Sequence, residues 1–230
     1  MKLNLFKRSM IFATFFGSCL CIALIVASLG TTHWVDARAR WLSSNPSKPP
    51  TNYDRTREGR INFGLFEGHK ELHLGYGSRH SDLSVKAGTH PARRWSWCGA
   101  AAQLAVALAA SGAACVLAAL GSAARNRCSP KPLLICNCAT ILFTMGTMSV
   151  WLTEFFLRLQ HNVMSDEDLS NHWSSDSTAE LGISFWLVVT ACITAFVNNV
   201  CILIAMADAR DADTIAPALE EKVNGAIMLY

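Results

Sequence analysis

Nine cysteines and seven histidines are the groups in this 230-residue chain best suited to bind a metal or act as nucleophiles. Their spacing argues against both roles. Cys136 and Cys138 have the look of a C-x-C metal pair, but in an apolar helix residues two apart point in different directions, and no histidine accompanies them. Like Cys19, Cys21, Cys98, Cys115, Cys128, Cys192 and Cys201, they lie in or beside apolar sequence, where cysteine packs as a small apolar residue. His33, His69, His73, His80, His90, His161 and His172 are scattered through hydrophilic stretches. His69 and His73 are four apart, which would align them on a helix, but their segment is glycine-rich and reads as non-helical, with both rings solvated. No Ser–His–Asp set, His-Glu-x-x-His motif or glycine-rich phosphate loop is visible. A non-enzymatic protein with no cofactor and no resident metal is expected.

The elements that would position any chemistry are four apolar stretches at 10–30, 98–121, 132–157 and 182–207. About 20 apolar residues are needed to cross the hydrocarbon core of a bilayer as a helix, so each stretch reads as a span and little length remains for a separate enzyme domain. The first stretch, behind Lys2, Lys7 and Arg8, could instead be a secretory signal, but it exceeds the length of a signal's apolar core and reads as a retained helix. A net charge of +3 is too mild to indicate a nucleic-acid partner. Arg125, Arg127 and Lys131 between the second and third stretches, with the basic residues ahead of the first, place those segments in the cytoplasm by the positive-inside rule. The loop at 31–97 is also basic, but it is long enough to cross regardless of charge. The loop at 158–181 is acidic (Asp166, Glu167, Asp168, Asp176, Glu180) and suits the outside. Trp34, Trp41, Trp95, Trp97, Trp151, Trp173 and Trp186 all fall at the outer side under this topology, as indoles favour the interface. The expected organisation is then a cytoplasmic segment 1–9, an outer loop 31–97, a cytoplasmic loop 122–131, an outer loop 158–181 and a cytoplasmic tail 208–230.

Within the first loop, residues 43–60 are polar and proline-rich and read as a mobile insert. Residues 61–77 mix aromatics with glycine in strand-and-turn fashion, and Trp34-Val35 could pair with that strand. Asn45-Pro46-Ser47 fails as a glycosylation acceptor because of its middle proline. With no cysteine inside either long loop except Cys98 at the boundary, no disulfide framework is expected.

The order of a span, Trp34, then Gly64-Leu65-Phe66 ahead of the second span resembles the Trp…Gly-Leu-Trp signature of the claudin and peripheral myelin protein superfamily. The stretch Phe63-Gly64-Leu65-Phe66-Glu67-Gly68 with Gly75-Tyr76-Gly77 is more similar to the clarins. So are His161 to Ser165 with Leu169, Ser184-Phe185-Trp186 opening the fourth span, and a terminus of acidic residues followed by Ile227-Met228-Leu229-Tyr230. The loop cysteine pair of claudins is missing, which favours a divergent clarin over a claudin. The resemblance implies an all-α membrane fold: a left-handed four-helix bundle carrying a small extracellular β-sheet in the first loop, with Trp34 and Gly64 to Phe66 clamping sheet to bundle. On that fold Trp34 would bury one face and leave the other wet. The resemblance also implies a plasma-membrane role in sensory cells: hair-bundle upkeep, ribbon-synapse organisation, hearing or vision.

Inside the spans, Ala105, Ala109 and Ala113 form a small-x-x-x-small ridge with Gly112 close by, and Ala13 and Gly17 form a similar notch. Such ridges allow close helix approach in lipid; this one reads as an internal packing seam in preference to a dimer face. Gln103, Asn137, Asn198 and Asn199 are expected to hydrogen-bond across helices, and Glu154 with Arg158 to form an i, i+4 pair. No charged residue sits at mid-membrane, which disfavours a channel or transporter. Met228-x-Tyr230 resembles a PDZ ligand, the other readings being a disordered end or a sorting signal. Cys128 is a candidate for palmitoylation. The expected function is a clarin-like plasma-membrane scaffold that contacts lipid, protein partners at the outer loops and a PDZ or actin-linked organiser at the tail, with self-association open. The alternatives are an auxiliary subunit of a channel or receptor, and a claudin-like junction protein.

Overall fold

A computed structural model describes residues 2–42, 57–73, 77–84, 91–123, 130–161, 163–164 and 166–227. Its long helices are α1 (Lys2–Gly30), α2 (Pro91–Ala123), α3 (Lys131–Glu154, extended by a π-helical turn over Phe155–Leu159) and α5 (Ile183–Ile227), with a short α4 (Asp166–Ser170). Each long helix carries a stretch apolar and long enough to cross a membrane: Arg8–Gly30, Ser96–Ser122, Lys131–Leu159 and Ile183–Ala207. The chain is thus mostly helical with four candidate spans, as a multi-pass membrane protein requires. Helix α5 runs on to Ile227.

The chain divides into two compact units. The sheet-bearing unit comprises Ala23–Val106 and Phe143–Ala191. Its antiparallel sheet contains β1 (Val35–Trp41), β2 (Glu58–Phe63), β3 (Glu67–His73), β4 (Ser78–Ser84), β5 (Trp173–Ser174) and β6 (Glu180–Leu181), in the order β4-β3-β2-β1-β5 with β6 also on β1. Val35 pairs with Phe63, as expected from sequence. Two features depart from the expectation. Strand β2 starts at Glu58, so the last part of the 43–60 segment is strand, while 43–56 lie outside the described residues. The sheet is also not confined to the first loop, because β5 and β6 from the second loop pair with the two ends of β1. Alternation explains the two faces. Val35, Ala37 and Ala39 of β1, Gly59 and Ile61 of β2, and Gly68 and Leu72 of β3 are buried, while Arg38, Arg40, Glu58, Arg60, His69 and His73 point the other way and are exposed.

The bundle unit comprises Met1–Ile22, Ala107–Leu142 and Cys192–Tyr230. Ile11, Ala114, Ala118, Leu133 and Ile202 form its core, with Phe15, Leu117, Leu134, Cys136 and Met206 packed against them. Phe12, Phe16, Val116, Leu120, Ile135, Leu142 and Leu203 are exposed. A helix apolar on every side belongs in a membrane, where the outward face meets lipid.

Candidate functional site

Trp34 sits at the centre of the sheet-bearing unit. Its backbone N–H donates to the Phe63 carbonyl at 2.8 Å, its carbonyl accepts from Gly182 N–H at 3.0 Å, and its indole N–H donates to the Ser28 carbonyl at 2.9 Å. Its ring meets Trp151 at 4.8 Å between centroids, Trp151 meets Trp97 at 5.4 Å, and Trp97 meets Phe63 at 6.2 Å. The end of α1, the β2 end, the Gly182 segment and Trp151 of α3 therefore all meet at Trp34, through its backbone or its indole. Trp34 is fully buried, so the expectation of a wet face is corrected: the indole N–H finds a carbonyl at the end of α1, and Trp151 lies over the ring.

Gly64 belongs to the same joint. Its N–H donates to the Glu67 carbonyl at 2.8 Å, closing the β2–β3 turn. A Cβ there would stand 2.8 Å from Thr32 Cα and 2.9 Å from the Thr31 carbonyl oxygen, both backbone atoms that cannot swing aside. Gly68 is similarly constrained by Phe63 and the Asn62 carbonyl, and a Cβ on Gly182 would collide with the His33 carbonyl. The expected clamp is divided at its last residue. Leu65 is buried, but Phe66 is 57% exposed, because a tight turn sends consecutive side chains to opposite sides.

A second tie, missed from sequence, joins β3 to α4. Lys70 projects from the buried side of the sheet, and its ammonium donates to both carboxylate oxygens of Asp168 at 2.7 and 2.6 Å. The two side chains are only 14% and 12% exposed. Lysine amid the Gly68–Leu72 alternation was the available signal, since a charge on an inward strand position needs a partner.

On its other face the sheet is polar. Arg38, Arg40, Glu58, Arg60, Glu71 and His73 line an open cleft of about 500 Å³. A smaller hollow of about 170 Å³ includes His69, Glu71, His80 and Asp82. Ser78 Oγ lies 3.4 Å from His80 Nε2, and Glu71 Oε1 lies 3.7 Å from that same nitrogen. A hydroxyl–imidazole–carboxylate relay needs the two ring nitrogens to face different partners, so this cluster can bind but is not arranged as a relay. His69 and His73 are on a strand and exposed.

In the bundle unit, the amide of Asn198 donates to Asn137 Oδ1 at 3.5 Å, and that of Asn199 to Cys138 Sγ at 3.4 Å. Ser111 and Thr140 hydroxyls lie 3.2 Å apart, and the Cys19 and Cys115 sulfurs 3.5 Å. Gly17 is a notch for the Asn198 side chain, whose oxygen occupies the place a Cβ would take. Ala13 is exposed and takes no part in the notch. Ala105, Ala109 and Ala113 are also exposed, which corrects the expected internal seam. The buried stripe of α2 instead runs through Ala100, Leu104, Ala107, Ser111, Ala114 and Ala118. In the sheet-bearing unit, Gln103 presses on Gly146 with its Oε1 buried and unpartnered. Arg158 and Glu154 pair at 3.6 Å.

Met228, Tyr230 and Cys128 lie outside the described residues. No family model matches the chain, and no curated protein matches it.

Proposed function

We propose that this chain is a non-enzymatic, four-pass plasma-membrane scaffold of the clarin type, with a left-handed helix bundle, both termini in the cytoplasm and the sheet outside. The observation that carries the reading is the joint at Trp34 and Gly64, the two positions on which the clarin resemblance rests. A fully buried tryptophan, its backbone bonded to Phe63 and Gly182 and its indole to the Ser28 carbonyl, holds the sheet in a fixed pose on its own unit. A sheet so held presents a polar face of five charged side chains and His73 to neighbouring membrane components. The tail would carry the contact with a PDZ or actin-linked organiser, and a sensory-cell setting follows from the clarin resemblance.

The test is proximity labelling in native cells from an N-terminal fusion, which leaves the terminal carboxylate free. Intact protein is compared with a form lacking Met228 to Tyr230. PDZ or actin-linked proteins that vanish on deletion support the scaffold. A list dominated by one channel or receptor and indifferent to the deletion overturns it.

A second reading, an auxiliary subunit packing its spans against a pore or receptor, is favoured by the outward Ala105–Ala109–Ala113 ridge. A Cβ at neighbouring Gly112 would meet no atom within 4 Å, so another helix could approach there closely. Ala109→Leu would then abolish copurification of such a partner while leaving the tail-dependent list intact.

A further inference from the structure

We propose that the cleft on the exposed face of β1, β2 and β3 binds the carboxylate of an acidic sugar through Arg38, Arg40 and Arg60. The inference deepens the scaffold reading and rests on it for its partner: a sheet held outside the cell meets the charged sugars of neighbouring glycans.

The register builds the site. Side chains directly opposite on antiparallel strands stand about 5 Å apart, and diagonal neighbours about 7–8 Å. Arg38 stands opposite Arg60, and Arg40 opposite Glu58, which makes Arg40 the diagonal neighbour of Arg60. The three arginines therefore share one corner of the exposed face, and all of them line the same open cleft of about 500 Å³. Like charges set directly opposite destabilise a sheet. The available acids do not relieve this pair, although Glu58 and Glu71 stand opposite Arg40 and Arg60. Among the described residues, none of Arg38, Arg40, Arg60 and Glu58 makes an ion pair or a side-chain hydrogen bond. The guanidinium N–H groups, set in a planar fork that matches a carboxylate, are left for a ligand.

The strand beneath them is held in place. The Thr178 hydroxyl donates to the Arg38 carbonyl at 2.6 Å, on the edge of β1 away from β2. A backbone fixed before the ligand arrives lowers the cost of binding.

The rest of the lining selects the ligand. Glu58, Glu71 and His73 share the cleft with the arginines. The two carboxylates would repel a sulfated polysaccharide or a run of acidic residues. They suit a body with a single anionic group and several hydroxyls, because a carboxylate accepts from hydroxyls while the guanidinium forks hold the anion. A sugar carrying one carboxylate has that composition.

The experiment uses the full chain in nanodiscs of zwitterionic lipid, where both faces of the bilayer are open to the ligand. A failure to bind there overturns the cleft alone; the scaffold reading stands or falls by the tail-dependent labelling. Saturation-transfer NMR is recorded in titrations with the methyl glycosides of N-acetylneuraminic acid and of glucuronic acid. Saturable binding of at least one is expected, with a dissociation constant on the order of 1 mM. The uncharged methyl ester of the same sugar binds about tenfold more weakly or not at all. Arg38→Gln and Arg60→Gln each weaken binding about tenfold. Arg60→Lys, which keeps the charge and loses the fork, weakens it too. Arg79→Gln, at an exposed arginine outside the cleft, leaves it unchanged. Because Arg38→Gln also removes the like-charge pair, the unliganded variant is expected to melt about 1–3 °C higher than its parent. Weaker binding in a protein that melts no lower separates a lost site from a broken sheet. Absence of saturable binding by either sugar overturns the proposal. So does equal binding of the methyl ester, or binding unchanged in the Arg38→Gln/Arg60→Gln double variant. Equal binding of acetate, which would leave a site for any anion, and tighter binding of tetraglutamate or a heparin tetrasaccharide, which would make the cleft a seat for polyanions, overturn it as well.

Discussion

The sheet-bearing unit and the bundle unit are held together by different chemistry. In the first, large side chains and exact backbone fits dominate: Trp34, Trp97 and Trp151 in mutual contact, Gly64 and Gly182 against backbone carbonyls, and a shielded Lys70–Asp168 pair. In the second, helices meet through single aliphatic side chains and alanines (Ile11, Ala114, Ala118, Leu133, Ile202), with hydroxyl and amide contacts and a glycine notch at Gly17. The former concentrates stability in few residues. The latter spreads it over many weak contacts, as expected in lipid, where burial of apolar surface gives no driving force between helices.

The contrast can be attacked most strongly at Trp34. Trp34→Ala removes a fully buried indole and its hydrogen bond and is expected to cost about 3–5 kcal/mol. Thermal unfolding in detergent, followed by tryptophan fluorescence, measures it; a loss below about 1 kcal/mol would mean the joint is not the keystone of its unit. Next comes Asp168→Ala, which strands the Lys70 ammonium and should cost about 3 kcal/mol. The double change Lys70→Met/Asp168→Leu should recover most of that loss, since an apolar pair of similar volume needs no counter-charge. A double variant as unstable as the single would point to packing instead of stranded charge. Gly64→Ala adds one carbon where two backbone atoms stand within 3 Å and is expected to cost about 1–3 kcal/mol. The same melting assay reads it, and a neutral result would show that the turn can move away from Thr31 and Thr32. The smallest effect belongs to the bundle unit: Asn198→Ala should cost about 0.6 kcal/mol, the usual size of an interhelical hydrogen bond in a membrane. A cost as large as that of Trp34→Ala would erase the distinction between the units.

The sequence revealed parts of this unevenly. The four spans were legible because length and lack of charge suffice for a helix in lipid, whatever its neighbours. The β2–β3 hairpin was legible from Phe63 to Gly68, where aromatics and glycines mark a turn. Strands β5 and β6 were not. Each has two residues and no alternation, and each exists only because β1 offers an edge to pair with. The Ala105–Ala109–Ala113 ridge was found, but its direction was misread, because an all-apolar helix gives periodicity no contrast with which to tell inside from outside. A better compass was present in the hydroxyls. Thr14, Ser18, Ser111, Thr140, Thr144 and Thr147 are all buried, whereas the exposed Ser149, Thr153 and Thr190 bond carbonyls of their own helix, so this compass is partial. The mutual position of Trp34 and Trp151 depends on contacts 117 residues apart, which no local pattern encodes.

The partners of Trp34 also set a timetable for making the protein. Ser28 and Phe63 emerge from the ribosome early, but Trp151 and Gly182 come much later, and β1 gains β5 and β6 only from residues 173–181. Until the third apolar helix is made the Trp34 indole lacks Trp151, and until residues 173–181 follow, β1 has one bare edge. The nascent first loop must therefore be shielded through most of translation. A message cut short before residue 173 would yield a chain whose first loop is complete in sequence yet unable to close, leaving an open strand edge of the kind that invites aggregation and recognition by quality control.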